Sequence, residues 1–158
     1  MLITAAGMPR SGSTWLYNAI RLLLMQKEEI ACNLSGGHIG QWNELPDTRY
    51  RLLKIHTFYP EIAEASKMIF YSYRDIRDAI CSQQRKFGGQ ITMEWADNYI
   101  NCHEKWMSKA DFTMRYEDML VSKREIIIEI IELLDRHIFY KIACDNKDLF
   151  ADKIIDEI

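Results

Sequence analysis

A chain of 158 residues, with 48% hydrophobic and 27% charged residues, is long enough to bury a core and is unlike the polar composition of disordered segments. Its formal net charge of −3 excludes a general nucleic-acid or polyanion binder, which needs an excess of Lys and Arg along one face, so an anionic ligand must be held by a local cluster. Four cysteines (Cys32, Cys81, Cys102 and Cys144) with no CxxC pair suggest neither a zinc ribbon nor a disulfide framework, and no run reaches the roughly 18 to 20 apolar residues of a membrane span; one cytoplasmic domain over residues 1–158 is expected.

Residues 2–6 are predicted as a short strand running into Gly7-Met8-Pro9-Arg10-Ser11-Gly12, a turn-forming stretch. Leu16, Ala19, Ile20, Leu23 and Leu24 then recur on one helical face. Between 28 and 47, Gly36, Gly37, Gly40 and Pro46 interrupt every periodicity, and mostly loop is expected. Residues 50–56 read as a second strand, 60–65 as a short helix, 67–73 (KMIFYSY) as a buried strand and 75–87 as a helix. Trp95, Tyr99, Cys102 and Trp106 keep helical spacing within 92–109, and the stripe of Trp95, Tyr99 and Trp106 reads as core. Residues 112–116 form another predicted strand, and 122–136 a strongly amphipathic helix with Ile126, Ile127, Ile130, Ile131 and Leu134 facing inward.

Strands alternating with helices imply a three-layer α/β/α fold around a central parallel sheet, of the P-loop-containing nucleotide-binding type, with ligands at the carboxyl ends of the strands. No glycine follows Gly89 and no proline follows Pro60, so the C-terminal part should be helix-rich.

Gly7-x-x-x-x-Gly12-Ser13-Thr14 has the spacing of a phosphate-binding loop, but Ser13 stands where GxxxxGK[ST] requires lysine. Such a loop works because backbone N–H groups and a helix N-terminus converge on phosphate beside a cation, and the nearest cation here is Arg10. A plain turn leading to a helix N-cap would use the same residues. The strand before and the amphipathic helix after favour phosphate.

Pro9-Arg10-Ser11-Gly12-Ser13-Thr14-Trp15-Leu16 resembles the 5'-phosphosulfate loop of sulfotransferases that use 3'-phosphoadenosine 5'-phosphosulfate (PAPS). The resemblance continues, in the family's order, at three further stretches. Tyr73-Arg74-Asp75-Ile76-Arg77-Asp78-Ala79-Ile80-Cys81-Ser82 is similar to the 3'-phosphate-binding strand and helix, Leu53-Lys54-Ile55-His56 to the strand end carrying the catalytic histidine, and Arg115-Tyr116-Glu117-Asp118-Met119 to the strand end whose tyrosine approaches adenine. It covers residues 2 to about 136. By this resemblance Arg10, Ser11, Gly12, Ser13 and Thr14 hold the 5'-phosphosulfate, Trp15 and Tyr116 meet adenine, and Arg74 and Ser82 hold the 3'-phosphate. One feature of the family is missing: a Gly- and Lys-containing loop near the C-terminus that closes over the 3'-phosphate. That implies either a minimal fold with an open acceptor pocket or a truncated chain.

Sulfuryl transfer needs a nucleophile in line with the leaving 5'-phosphate and positive charge near the bridging oxygen, which Arg10 and Lys54 supply without a metal. His56 is the expected general base, since an imidazole titrates near neutrality. His38, His103 and His137 read as structural. PAPS is thus the expected co-substrate, with adenosine 3',5'-bisphosphate as product. The acceptor is expected to present a hydroxyl or an amine on a small molecule or sugar, with Trp42, Phe58 and Tyr59 as candidate lining. A P-loop nucleotide kinase, which the absent lysine disfavours, and an inactive nucleotide-binding relative are the alternatives.

Overall fold

Leu2–Gly7 forms β1, and all six of its residues are buried, as a strand paired on both sides and covered on both faces must be. This is the middle strand of a sheet seen in the computed structural model of the protein, which describes residues 1–138 and 147–158. Cys144 lies outside them; Cys32, Cys81 and Cys102 are free thiols. Strands β2 (Leu34–His38), β3 (Tyr50–Ile55), β4 (Ser66–Tyr73) and β5 (Phe112–Arg115) complete an all-parallel sheet in the order β2-β3-β1-β4-β5.

Helices α1 (Ser13–Met25), α2 (Glu28–Ala31), α3 (Pro60–Ala65), α4 (Ile76–Phe87), α5 (Met93–Met107), α6 (Tyr116–Val121), α7 (Lys123–Ile138) and α8 (Lys147–Glu157) connect and cover the strands. The period-2 alternation of strands decides which side chain meets which layer. Ile3, Ala5, Tyr50, Leu52, Met68 and Phe70 share one core with Leu16, Ile20, Leu23, Leu24 of α1 and Ile127, Ile130, Ile131, Leu134 of α7. Ala6, Leu53, Ile55, Ile69 and Tyr71 face the other way, onto Trp106 and Ala63. The expected three-layer α/β/α architecture and helix-rich C-terminal part are therefore present. No helix among the described residues is long and apolar enough to cross a membrane.

The segment expected to be mostly loop is not. Residues 28–44 contain α2, β2 and a 3-10 helix at Ile39–Glu44. β2 reads LSGGH, too polar and glycine-rich to register as a strand, because its stabilisation comes from backbone pairing with β3 from Leu34↔Tyr50 to His38↔Lys54 rather than from side-chain burial. As an edge strand it needs no continuous apolar face. Tyr116, expected to end the last strand, instead begins α6.

Gly7 closes β1 where no side chain would fit: a Cβ there would lie 2.5 Å from Ser13 Cβ and closer still to Ser72 Oγ. Ser13 and Ser72 are both buried, so neither can swing away. Gly7→Ala is expected to destabilise the protein by about 1–3 kcal/mol, the usual cost of forcing one group into a filled interior, read as a lower melting temperature; an unchanged melt would show that the packing at this junction relaxes freely.

Candidate functional site

The first crossover leaves β1 for β2 and the later one returns from β3 to β4 across β1, so the strand order reverses beside β1. Loops diverging from such a point leave a crevice at the carboxyl ends of the strands. Residues 8–12 follow β1, Lys54 and His56 lie at the end of β3, Arg74 follows β4, and Tyr116 follows β5. Four segments far apart in sequence therefore converge on one edge.

The loop is tied down before it reaches the crevice. Met8 N–H donates to Ser72 O at 2.8 Å, and the buried Ser11 hydroxyl donates to Met8 O at 2.6 Å and pairs with Ser72 Oγ at 2.9 Å. Arg10 then takes the left-handed conformation (φ 68), rare for a residue with a Cβ, and its guanidinium Nε donates to Ser82 Oγ on α4 at 3.1 Å. Gly12, at φ 79, occupies the N-cap of α1 and has no side chain to cap it. The first N–H groups of that helix consequently face outward without an intrahelical or side-chain acceptor.

A cleft of about 260 Å³ opens there, lined by Arg10, Gly12, Ser13, Thr14, Arg74, Ser82 and Tyr116. No carboxylate is among these seven residues, and an uncapped helix N-terminus beside two guanidinium groups is a site for an anion. Arg74 lies over the Tyr116 ring, 4.4 Å from its centroid, with Asp78 at 3.5 Å and Glu117 at 3.8 Å. Its Nε is buried, makes no hydrogen bond and faces Glu117 Oε1 at 3.8 Å, so a ligand would be met by the other N–H groups of the fork.

Of the residues that the sequence assigns to the nucleotide, Ser11 and Trp15 do not line this cleft: the Ser11 hydroxyl is turned into the fold, and Trp15 packs against the edge of the core. The start of α4 is already capped from within the chain. Asp75 caps it, accepting from the N–H groups of Arg77 and Asp78 at 3.0 and 3.4 Å, and the adjoining Arg77 guanidinium holds the Asp75 carboxyl down at about 2.

Lys54 and His56 form the wall beside the loop. Lys54 Nζ donates to Thr14 Oγ1 at 2.6 Å, and burial pushes the ammonium below its ordinary value. His56 Nδ1 lies 2.6 Å from Gly7 O. A carbonyl can only accept, so Nδ1 carries the proton in the neutral ring and the Nε2 lone pair stays open. Trp106 Nε1 donates to His56 O at 3.2 Å and fixes the backbone beneath the ring.

His56 opens on a second cavity, of about 350 Å³, lined also by Met8, Pro9, Thr57, Tyr71, Trp95, Asn98, Tyr99 and Cys102. Here the sequence reading divides. Trp106 is core as expected, whereas Trp95 and Tyr99 of the same helical stripe line the cavity; Trp42, Phe58 and Tyr59 do not. Trp42 carries the Arg51 guanidinium 3.7 Å from its ring, and Phe58 packs edge-on against Trp106. Tyr71 was hidden in the middle of KMIFYSY, and nothing short of strand register would have picked it out. Its hydroxyl pairs with His103 Nδ1 at 3.1 Å, and burial pushes the phenol up, so it stays neutral.

Burial, with the charges of Lys54 and His38 nearby, pushes the His56 imidazole below its ordinary 6.5. The folded protein thus holds the ring neutral where the unfolded chain already binds a proton, and this contribution to stability is lost as pH falls below about 6.5. The melting temperature of wild type should drop more between about pH 7.5 and 5.5 than that of His56→Gln; parallel profiles would mean that the ring titrates alike in both states.

No protein family matches the chain in sequence, and no curated protein does. Solved structures do share the fold. One is retinol dehydratase in a complex with retinol and PAP, with a TM-score of 0.66 at 13% identity, covering 99% of this chain and 64% of that one. Another is retinol dehydratase in complex with androsterone and inactive cofactor PAP, with a TM-score of 0.67 at 14% identity, covering 99% and 63%. The chain therefore spans a little under two thirds of the length of these neighbours.

Proposed function

We propose that the protein is a sulfotransferase that moves the sulfuryl group of PAPS onto the hydroxyl of a small acceptor. The observation that carries this reading is the pairing, across Lys54, of an anion cleft built from Arg10, Arg74 and an uncapped helix start with a cavity onto which His56 presents an open Nε2. A donor with two anionic ends suits the two arginines. Arg10 and the backbone from Gly12 to Thr14 would hold the 5' end, while Arg74 and Ser82 would hold the 3'-phosphate, with Tyr116 beneath. The likeness to structures holding PAP supports this, as does the cavity, since retinol and androsterone in those structures are themselves small molecules.

In this reading the donor supplies the sulfuryl group and leaves as adenosine 3',5'-bisphosphate. The acceptor oxygen bonds to sulfur as the bridging S–O bond breaks, and the acceptor proton passes to His56 Nε2. Arg10 and Lys54 offset the charge that grows on the bridging oxygen, an electrostatic role filled here without metal chemistry. Tyr71, Trp95 and Tyr99, with Met8 and Pro9, give the cavity an apolar lining that selects an acceptor with a flat apolar body and excludes water from the attacking oxygen.

Donor choice is tested by thermal shift. Adenosine 3',5'-bisphosphate should raise the melting temperature much more than AMP or ATP. Arg74→Ala should weaken bisphosphate binding by about 10- to 150-fold, the equivalent of roughly 1.5–3 kcal/mol for a charge-assisted contact, and should leave the fold intact. Equal shifts with AMP would remove the 3'-phosphate site.

The role of His56 is tested by kinetics on a responsive acceptor found from a panel of phenols, alcohols and sugars. His56→Ala should lower kcat by about 10² to 10⁴ with donor affinity nearly unchanged, the signature of a group acting in the transition state. Full activity in the mutant would move the base elsewhere.

A further inference from the structure

Lys54 also lines a shallow groove of about 390 Å³, together with Tyr17, Asn18, Arg21, Gly36, Gly37, His38 and Gln41. Of its lining, Lys54 alone takes part in the proposed transfer chemistry. No carboxylate lines it, in a chain where Asp and Glu outnumber Lys and Arg by 23 to 20.

The hydrogen bonds around the groove leave it donors. His38 Nδ1 accepts from Gly40 N–H at 3.3 Å, which puts the proton of the neutral ring on Nε2. Gln41 Oε1 accepts from His38 N–H at 3.4 Å, which commits the amide oxygen and leaves its NH₂ group to donate. Arg21 makes one side-chain hydrogen bond, from its NH1 to Met25 Sδ at 3.6 Å, lies near the Tyr17 phenol, and has no ion pair with a carboxylate among the described residues. Lys54 adds a second cation from the floor. Convergent N–H donors around fixed positive charge recognise an oxyanion.

The place of the groove ties it to the reaction. The ring centroids of His38 and His56 are 5.8 Å apart, and Lys54 and His38 are cross-strand neighbours in the sheet. Arg21, however, lies seven residues along α1 from Thr14, about 10 Å at 1.5 Å per residue, so it is remote from the cleft that holds the donor. We infer that this groove is a second acceptor subsite, which binds a carboxylate or sulfate ester carried by the acceptor while the acceptor hydroxyl lies at His56. The inference rests on the sulfotransferase reading for the word acceptor, but the anion site itself stands on the groove alone.

The test is calorimetric titration of inorganic sulfate and of glucuronate into protein saturated with adenosine 3',5'-bisphosphate, which fills the donor cleft. One saturable site is expected, about tenfold weaker in Arg21→Ala and lost in Arg21→Glu, with bisphosphate affinity unchanged in both. Arg77→Ala, which removes a cation outside the groove, should titrate as wild type does. A stronger response to one probe tells a sulfate ester from a carboxylate. Absence of saturable binding in wild type, or equal binding in wild type and Arg21→Ala, overturns the subsite. If bisphosphate itself fails to bind, the donor assignment falls, and the same titrations on nucleotide-free protein still decide the groove through their dependence on Arg21. Alanine is the better helix former and Arg21 holds no buried partner, so the variants should fold; a thermal melt of each confirms it.

Discussion

Two buried serine side chains close on the backbone where β1 ends, and the rest of the site follows from that contact. Gly7 sits against Ser13 and Ser72, and its carbonyl orients the His56 ring. The Met8 N–H and the Ser11 hydroxyl then lock the following turn onto β4. A turn held this way delivers Arg10 and the start of α1 between the ends of β3 and β4. One glycine thus couples the tautomer of the candidate base to the placement of the anion cleft. The two halves of the proposed chemistry share a single structural joint.

Charge is organised locally rather than globally. The chain is slightly acidic, yet the lining of the cleft and of the groove at Lys54 contains no carboxylate. Acidic side chains stand one step back, as Asp78 and Glu117 do around Arg74. There they orient a guanidinium without occupying the space in front of it. Both carboxylates reach solvent, which screens their attraction for the largely buried Arg74, so their value lies in geometry. Lys54 belongs to both positive regions, through Thr14 on one side and the groove on the other.

Much of this was legible in the sequence, where a side-chain pattern and a backbone role coincide. The Gly7-to-Gly12 spacing marked the loop because a tight turn and a helix start both demand small residues there. KMIFYSY marked β4 because a strand buried on both faces must be apolar throughout. The ends of β3 and β4 placed Lys54, His56 and Arg74 by simple continuation. What escaped was decided by tertiary packing. β2 is a strand by virtue of its neighbour's hydrogen bonds, and Leu34-Ser35-Gly36-Gly37-His38 carries no trace of that. Trp95, Tyr99 and Trp106 are one stripe by spacing, but α5 passes from the cavity rim into the core along its length, which periodicity cannot register. Spacing alone likewise does not reveal that the Asp75 side chain fills the start of α4.

The left-handed backbone at Arg10 limits what the position can become. Glycine relieves the conformation, and asparagine or aspartate tolerates it, but none of these carries positive charge. Lysine keeps the charge but gives up the planar fork that reaches Ser82 while leaving other N–H groups free. Every substitution that eases folding at this position therefore weakens the electrostatics of the cleft, and every one that keeps the charge keeps the strain. Laboratory selection for thermostability alone would be drawn to this residue, and would erode the cleft when it got there.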